Sequence, residues 1–274
     1  GTVGAAEPCG DPQITALGAA FCDITGTTQT VTGTLGTELA LSEGDARGML
    51  IRAEKGADIT VTQYITSDGC AALRTFAEIG ENASVKLVQI FEGGSGSLML
   101  NDVGASAADS ARFAVTQIFL GGAQTVSGIC AELNGYKSEF ECRTGYLIGA
   151  GEKLDINDIV LHKGKKTNSV TDVKGVLSGN AEKRFRGTID FKNGASGSVG
   201  AETEDVLLLS GEAVNKTLPV ILCAEEDVEG SHGASIGRLP EDTVYYMTSR
   251  GIPADKAYEL MASARLEGII SGIE

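Results

Sequence analysis

One short stretch of the chain gathers the residue types that bind transition metals. Cys223 and His232 lie nine residues apart, and the carboxylates of Glu225, Glu226 and Asp227 lie between them. Thiolate, imidazole and carboxylate groups are the side-chain ligands that transition metals use in proteins. Nine residues are enough for one strand to turn a corner and return a side chain close by. The stretch therefore predicts a metal site; the alternatives are a buried core thiol for Cys223 and a hydrogen-bonded turn histidine for His232.

The overall charge narrows the classes of partner. The 274 residues include 37 acidic and 22 basic side chains, a net charge of −15. This balance argues against nucleic-acid binding, which needs a basic face to neutralise phosphates. It fits solubility, and it also fits attraction for metal ions or cationic partners. No apolar run approaches the length of a membrane span and no signal peptide is visible, so we expect a cytoplasmic protein that does not enter membranes.

The six cysteines do not form a known metal or disulfide pattern. Their spacings are wide and irregular, without a CxxC pair, which argues against zinc ribbons and ferredoxin-type clusters. A chain of this length has a core and does not need disulfides, so we expect reduced thiols. Five of them have no partner pattern and are predicted to be structural: Cys9, Cys22, Cys70, Cys130 and Cys142.

Short strands separated by turns dominate from Ala57 onward. In Asp58–Ile65 the residues Ile59, Val61 and Gln63 alternate onto one face, as in a half-buried strand. Similar runs recur every ten to fifteen residues, which is typical of a sandwich, a barrel or a β-solenoid. Scarce aromatics and no Trp favour the narrow core of a solenoid. Residues 1–56, at the start of the β core, show no clear secondary-structure pattern. Short helices are expected within 42–55 and 68–79.

The character of the sequence changes after Gly237. Residues 240–250 predict a helix with an acidic first turn and Arg250 in its last turn, stopped by Gly251. Pro253 then opens a second helix with one stripe of small and apolar residues, comprising Ala257, Leu260, Met261, Ala264 and Gly268. Such a stripe either caps the last coil or docks a partner. We therefore predict a β core over 1–237 and a helical segment over 238–274.

Six segments in order resemble one known family. They are Leu161–Ser169, Val173–Leu177, Phe185–Ile189, Leu207–Ser210, the Glu226–Ser235 segment with its Ser-His-Gly-Ala, and Tyr246–Ile252 with its Ser-Arg-Gly-Ile. Their order is similar to that of the SufB/SufD scaffolds of iron–sulfur cluster assembly, and most like the SufD branch. The likeness covers about residues 158–268. Residues 1–150 match only in their pattern of strands and turns.

The resemblance implies a fold, a function and partners. It implies a mainly β protein, a right-handed parallel β-helix with C-terminal helices, that forms homodimers or heterodimers through the β-helix. It implies a scaffold without enzymatic activity that works with a SufC-like ABC ATPase to build and transfer a transient cluster. The helices would dock that ATPase, with Tyr245, Tyr246, Arg250, Gly251, Leu260 and Met261 as the docking residues. The chain lacks a GxxxxGK[ST] loop, so we expect it to bind no nucleotide in the P-loop manner.

The sequence departs from the family at the expected ligands. Where SufB-type chains have a cysteine before the aspartate of the Leu-rich strand, this chain has Glu204, and where SufD relatives often have a cysteine before the histidine, it has Gly230. The candidate cluster ligands are therefore Cys223, His232, Glu204 and Glu226, although each carboxylate taken alone is more typical of a solvated or capping group. We also expect a minimal form without an N-terminal helical domain.

His162 and two other functions complete the expectations. His162 precedes a lysine-rich segment, and its place in the resemblance favours a structural or interface role. A carbohydrate-active β-helix enzyme is one alternative function, but the shortage of aromatics for stacking sugars counts against it. A purely structural β-solenoid without its own metal site is the other, and it leaves the histidine segment and the following helices unexplained.

Overall fold

The computed structural model of the chain describes residues 28–239 and 241–271. These residues form sixteen strands and two helices. The strands are β1 (Thr28–Val31), β2 (Leu35–Leu41), β3 (Ala46–Ala53), β4 (Asp58–Ser67), β5 (Cys70–Ile79), β6 (Ser84–Gly93), β7 (Leu98–Ala107), β8 (Arg112–Leu120), β9 (Gln124–Leu133), β10 (Glu139–Ile148), β11 (Lys153–His162), β12 (Asn168–Leu177), β13 (Glu182–Phe191), β14 (Ser198–Leu208), β15 (Val214–Cys223) and β16 (Val228–Arg238). The helices are α1 (Glu241–Ser249) and α2 (Ala254–Ile270).

The strands alternate between two parallel sheets. Odd-numbered strands form one eight-stranded sheet and even-numbered strands form the other, each in sequence order. We call them the odd sheet and the even sheet. Gln63 pairs with Gln89 and Gln89 with Gln117, so each coil here takes 26 to 28 residues. This confirms the predicted β-solenoid, which has about seven turns in the structure. The right-handed sense of the coil stays a prediction.

Alternating side chains build the core between the two sheets. Ile59, Val61 and Gln63 are all buried and face inward from β4, as their spacing predicted. Most inward positions are Ala, Val, Ile or Leu, so the sheets lie close together and a narrow core needs few aromatic side chains. Phe91 and Phe119 stack on successive coils with ring centroids 4.8 Å apart. Identical stacking positions on successive coils let each coil bury its face on the next.

A ladder of polar side chains runs through part of this core. The amide of Gln89 donates to Gln63 at 2.8 Å, and the amide of Gln117 donates to Gln89 at 2.9 Å. Asn101 crosses from the odd sheet to donate to Gln89 at 3.1 Å and to Ser127 at 3.0 Å. Because buried amides are costly unless they are hydrogen-bonded, this ladder fixes the register of the coils as well as their spacing.

Two expected helices are strands. Residues 42–55 contain β3, and residues 68–79 contain β5. Ser42 and Asp45 form a turn rather than the start of a helix, because the Ser42 N–H donates to the Asp45 carboxylate at 2.9 Å and Gly44 has a φ of +80°. Pairing of each strand with its neighbours in the odd sheet outweighs weak local helix signals.

The C-terminal helices lie beside the solenoid. Gly251 ends α1 with a φ of +86°, as predicted, and Pro253 precedes α2. The predicted apolar stripe of α2 was only partly right. The helix buries Ala257 of that stripe but exposes Leu260, and its other buried residues are Ala262, Leu266 and Ile269. This face packs on the outside of β10 and β12, so α2 does not cap the last coil. Neither described helix is long and apolar enough to cross a membrane.

Candidate functional site

The solenoid ends in an open coil made of β15 and β16. Each is the last strand of its sheet, so each has one unpaired edge. Inward positions that are buried in earlier coils are exposed here because no further coil covers them within the described residues. Both Cys223 and His232 lie in this coil and are exposed. The open end therefore presents the predicted metal-binding side chains to whatever covers it.

The predicted ligands fall into two groups along the last coil. Cys223 ends β15, and Glu226 lies in the turn that leads to β16, so these two share a corner. His232 lies four residues beyond Val228, where β16 begins, which is about 13 Å of strand at the usual rise. The expected return of His232 toward Cys223 therefore does not occur within one chain. Among residues 28–239 and 241–271, no three His, Cys, Asp or Glu side chains are grouped to hold a metal ion.

His232 stacks on a carboxylate that the sequence did not single out. It is in register with Glu202 of β14, one coil below. Glu202 faces the odd sheet at Gly187, where an added Cβ would lie 1.7 Å from the carboxylate. Gly187 pairs with Pro219, so His232 lies opposite the middle of β15 rather than opposite its end at Cys223. Glu202 is therefore the acidic residue that lies one coil below His232 in the same inward-facing position.

Glu204, the third predicted ligand, is already engaged. Its carboxylate accepts a hydrogen bond from the Lys183 ammonium of β13 and another, at 2.6 Å, from the Thr217 hydroxyl of β15. The Lys183 and Glu204 side chains are 0 % and 2 % exposed. A buried carboxylate held by an ammonium is not free to bind a second cation. This ion pair explains why Glu204 does not join His232 in the structure.

Asp158 of β11 is a further acidic group in the same interior, and it interacts with Glu202. Burial raises the pKa of Asp158 to about 8, with the Glu202 charge as a second cause. Burial also raises the pKa of Glu202 to about 7, although Lys183 opposes this. Both Asp158 oxygens are buried without a hydrogen-bond partner. A carboxyl in such surroundings is neutral at neutral pH. Cys142 lies in register with Glu202 through Thr171 of the strand between them and is fully buried. Burial raises the pKa of its thiol well above the ordinary value.

His162 is structural, as its position suggested. Its ring nitrogens lie 2.7 Å from the Thr167 hydroxyl and 2.8 Å from the Ser169 hydroxyl. The ring packs against Phe191 with centroids 4.6 Å apart. Burial lowers the pKa of His162 to about 4, so the imidazole is neutral. It fastens the turn between β11 and β12 and presents no free nitrogen.

The predicted docking residues form an exposed surface on the helices. Tyr245 and Tyr246 of α1 are 75 % and 59 % exposed, and Leu260 of α2 is also exposed. Arg250 follows α1 rather than lying in its last turn, and its guanidinium lies 5.1 Å from the Tyr246 ring centroid. Met261 is half-buried against the outside of the solenoid. Exposed aromatic and arginine side chains are typical of contact surfaces between proteins.

The remaining cysteines agree with a structural role where the structure describes them. Cys130 and Cys142 are buried and Cys70 is half-buried. Cys9 and Cys22 lie outside the described residues. Sequence reasoning missed Lys183, Glu202 and Asp158 because isolated charged residues in a strand normally face solvent. The alternation of Glu202 with Glu204 around Thr203 was the one signal that both carboxylates share a face.

Comparisons with known proteins agree with this architecture. Residues 37–265 match the model of the SUF system FeS cluster assembly SufBD core domain. The chain is 28 % identical over 230 residues to the iron–sulfur cluster assembly protein SufD of Bacillus subtilis, covering 81 % of this chain and 52 % of the relative. It is 26 % identical over 237 residues to a chloroplastic iron–sulfur cluster assembly SufBD family protein of Arabidopsis thaliana, covering 82 % and 42 %.

A third relative extends this pattern. The SufBD family protein of Trieres chinensis is 27 % identical over 234 residues, covering 80 % of this chain and 48 % of the relative. This chain therefore spans about half the length of these three curated relatives.

Proposed function

This chain belongs to the SufBD family of iron–sulfur cluster assembly proteins, and we propose that it is a scaffold component of a Suf-type assembly complex. In that complex it would help to build nascent clusters and pass them on, in the cytoplasm. The observation that carries the proposal is the family match over residues 37–265, which runs from β2 into α2. The cluster is cargo in this role, so it is bound and released rather than kept.

The cluster would be held at the open coil by Cys223, His232 and Glu226, and Glu204 would join them once its ion pair with Lys183 is broken. Exposure of the thiol and the imidazole at the end of the solenoid supports this placement. Because about 13 Å of strand separates the Cys223 corner from His232, one chain supplies two partial ligand sets. A second chain across the open end would complete them. The chemistry fits iron, which accepts sulfur, imidazole nitrogen and carboxylate oxygen together.

A dimer through the last coil would bring that second chain into place. Two sheet edges are unpaired there, and exposed apolar side chains surround them, including Leu218, Leu222 and Ile236. Exposed strand edges pair readily with other chains. On β15, the N–H groups of Val214 and Ala224 donate to residues on the β13 side. Because N–H groups alternate in direction along a strand, the nitrogen of Pro219 faces the free edge. Since proline has no N–H, β16 is the better edge for pairing.

A SufC-like ABC ATPase would bind the exposed surface of α1 and α2. Tyr245, Tyr246, Arg250, Gly251, Leu260 and Met261 are the proposed contacts. The support is their exposure on helices that pack beside the solenoid and leave the open end accessible. The chain itself carries no P-loop motif, so ATP hydrolysis would take place on the partner.

The decisive experiment is anaerobic reconstitution with iron and sulfide. We expect a sulfide-containing chromophore in the visible spectrum and its loss, with bound iron, in Cys223→Ser and in His232→Ala. Cys70→Ser is the matched control, because Cys70 is a half-buried thiol in an early coil and should leave the chromophore unchanged. Iron and sulfide should be measured with and without the ATPase. Absence of bound iron under every condition would leave a structural partner that helps another subunit to hold the cluster.

Docking of the ATPase is tested separately. Tyr245→Ser with Tyr246→Ser should weaken binding to the cognate SufC-like ATPase at least tenfold, since large exposed aromatics often dominate contact energy. Tyr136→Ser removes a comparably exposed ring from a turn of the solenoid and should not change binding. Binding should be measured by surface plasmon resonance. Equal affinity of the ATPase for the wild type, the double variant and Tyr136→Ser would place the docking surface elsewhere.

A further inference from the structure

Three consecutive strands are tied together inside the solenoid by one ionic network. Lys183 of β13 donates to Glu204 of β14, and Thr217 of β15 donates to the other oxygen of the same carboxylate. Asn215 in turn donates to Thr217 at 3.2 Å. The network crosses from the odd sheet to the even sheet one coil below the open end. It therefore joins the last coil to the rest of the solenoid.

Lys183 has a second support besides Glu204. Its ammonium lies 5.2 Å from the ring centroid of Phe185 and 5.7 Å from that of Tyr146. Such distances allow a favourable interaction between the cation and the ring faces. The ammonium can thus lose the carboxylate and still remain next to aromatic faces. Glu204, in contrast, would be left with only the Thr217 hydroxyl and would need another cation.

The neighbours of Glu204 are suited to such a cation. Glu202 lies two residues away on the same face of β14, and His232 stacks above Glu202 at the open end. Once Glu204 is released, two carboxylates and an imidazole occupy adjacent inward columns of the last two coils. Oxygen and imidazole nitrogen together suit divalent transition metals.

We propose that Lys183 is an internal counter-ion that masks Glu204, so that a divalent cation at the open end gains this carboxylate only by displacing the lysine. The inference rests on the proposed function to the extent that Glu204 is one of its candidate ligands. The lysine keeps the site closed while no metal is present. It also keeps the last coil attached, because the same carboxylate anchors Thr217.

Zinc binding by the whole chain tests this proposal without sulfide or ATPase. Isothermal titration should show that Lys183→Met binds Zn²⁺ at least tenfold more tightly than the wild type. The double variant Lys183→Met/Glu204→Gln, which removes both charges, should lose that gain. Lys192→Met is the matched control, since it breaks an ion pair between the half-exposed Lys192 and the buried Asp190 and should bind Zn²⁺ as the wild type does. Unchanged affinity in Lys183→Met, or a gain that persists in the double variant, would overturn the proposal.

A second measurement covers the case in which Lys183→Met does not fold. In the wild type labelled with ¹⁵N-lysine, saturating Zn²⁺ should shift the Lys183 side-chain signal as the ammonium leaves Glu204. The signal, assigned by its loss in the double variant, should return when Zn²⁺ is chelated. A Lys183 signal unaffected by Zn²⁺ would contradict displacement. Because neither measurement uses a cluster, failed reconstitution and failed displacement remain separate results.

Discussion

The two histidines of the chain have opposite surroundings and should respond oppositely to substitution. His162 is fully buried between two hydroxyl groups and a phenylalanine ring. His162→Ala should lower the free energy of unfolding by about 2–5 kcal/mol, because it leaves a cavity and removes the hydrogen bonds that Thr167 and Ser169 make to the imidazole. His232→Ala removes an exposed ring and should change stability by less than about 0.5 kcal/mol. Urea unfolding at pH 7 measures both, and equal losses would contradict the structural role of His162.

Asp158 should make the stability of the protein fall as the pH rises through the acidic and neutral range. Its pKa is raised by burial to about 8, while in the unfolded chain the same carboxyl titrates near its ordinary value of 3.8. The folded state therefore binds the proton more tightly, and stability falls as the pH rises from about 4 to about 8. Asp158→Asn keeps a neutral side chain of similar size and should remove part of this loss. At pH 8 we expect it to be more stable than the wild type by on the order of a few kcal/mol.

The control for Asp158 is the acid side of the pH profile. At pH 3.5 the carboxyl is neutral in the folded state and mostly neutral in the unfolded state, so the variant and the wild type should differ little in stability there. His162 acts in the other direction, since its lowered pKa makes stability fall as the pH drops from 6.5 toward 4. Thermal unfolding at pH 3.5, 6.5 and 8 separates the two groups. A variant that loses stability equally at all three values would show that Asp158 acts through packing instead.

At the residue level, the sequence predicted ligand types better than ligand geometry. The metal-binding potential of Cys223 and His232 could be read from their chemistry, and their exposure at the open end agrees with it. The distance between them could not, because it depends on where the corner at Val228 begins β16. The pairing of Glu204 with Lys183 joins residues 21 positions apart in different sheets. Only the coil register brings such residues together.

At the level of elements, α2 is held by a small contact with the even sheet. Leu266 and Ile269 lie over Gly145 of β10, where an added Cβ would meet Ile269 at 3.3 Å. Arg265 also pairs with Asp205 of β14. Leu266→Ala should therefore loosen the helix, at a cost of about 2–3 kcal/mol in its local stability. Hydrogen exchange should rise in α2 and stay unchanged in β4 and β6.

Ile270→Ala is the control for this contact. Ile270 is next to Ile269 but half-exposed, so its truncation should leave exchange in α2 nearly unchanged. If both variants accelerated exchange equally, the buried face of α2 would not be what holds it. The sequence predicted this helix and its start but only part of its packing face. Gly145, which allows the close approach, lies more than a hundred residues upstream and carries no local sign of its role.

At the level of the whole molecule, the solenoid was predictable and its details were not. Frequent short strands, few aromatics and glycine-rich turns indicated a narrow stacked core, which the two sheets confirm. Without a strict repeat in the sequence, the register of each coil could not be assigned. The polar ladder from Gln63 to Gln117 supplies that register in the structure through contacts between residues 26 to 28 positions apart. Pairing with neighbouring strands of the odd sheet likewise made strands of segments within 42–55 and 68–79, where helices were expected.

The open coil leads to the last prediction, which concerns assembly. Leu222 and Ile236 are 48 % and 46 % exposed at the two edges of the last coil. If two chains meet there, Leu222→Glu with Ile236→Glu should place four acidic groups in the interface and convert a dimer to monomer. Leu120→Glu introduces the same charge on the outside of β8, at 40 % exposure, and should leave the dimer intact. Light scattering with size-exclusion chromatography measures the masses, with a relative of the SufBD family added as a second partner. Chains whose mass is unchanged by the open-coil substitutions, alone and with that partner, would move the interface away from the cluster site. The two partial ligand sets would then have to be completed by a different surface.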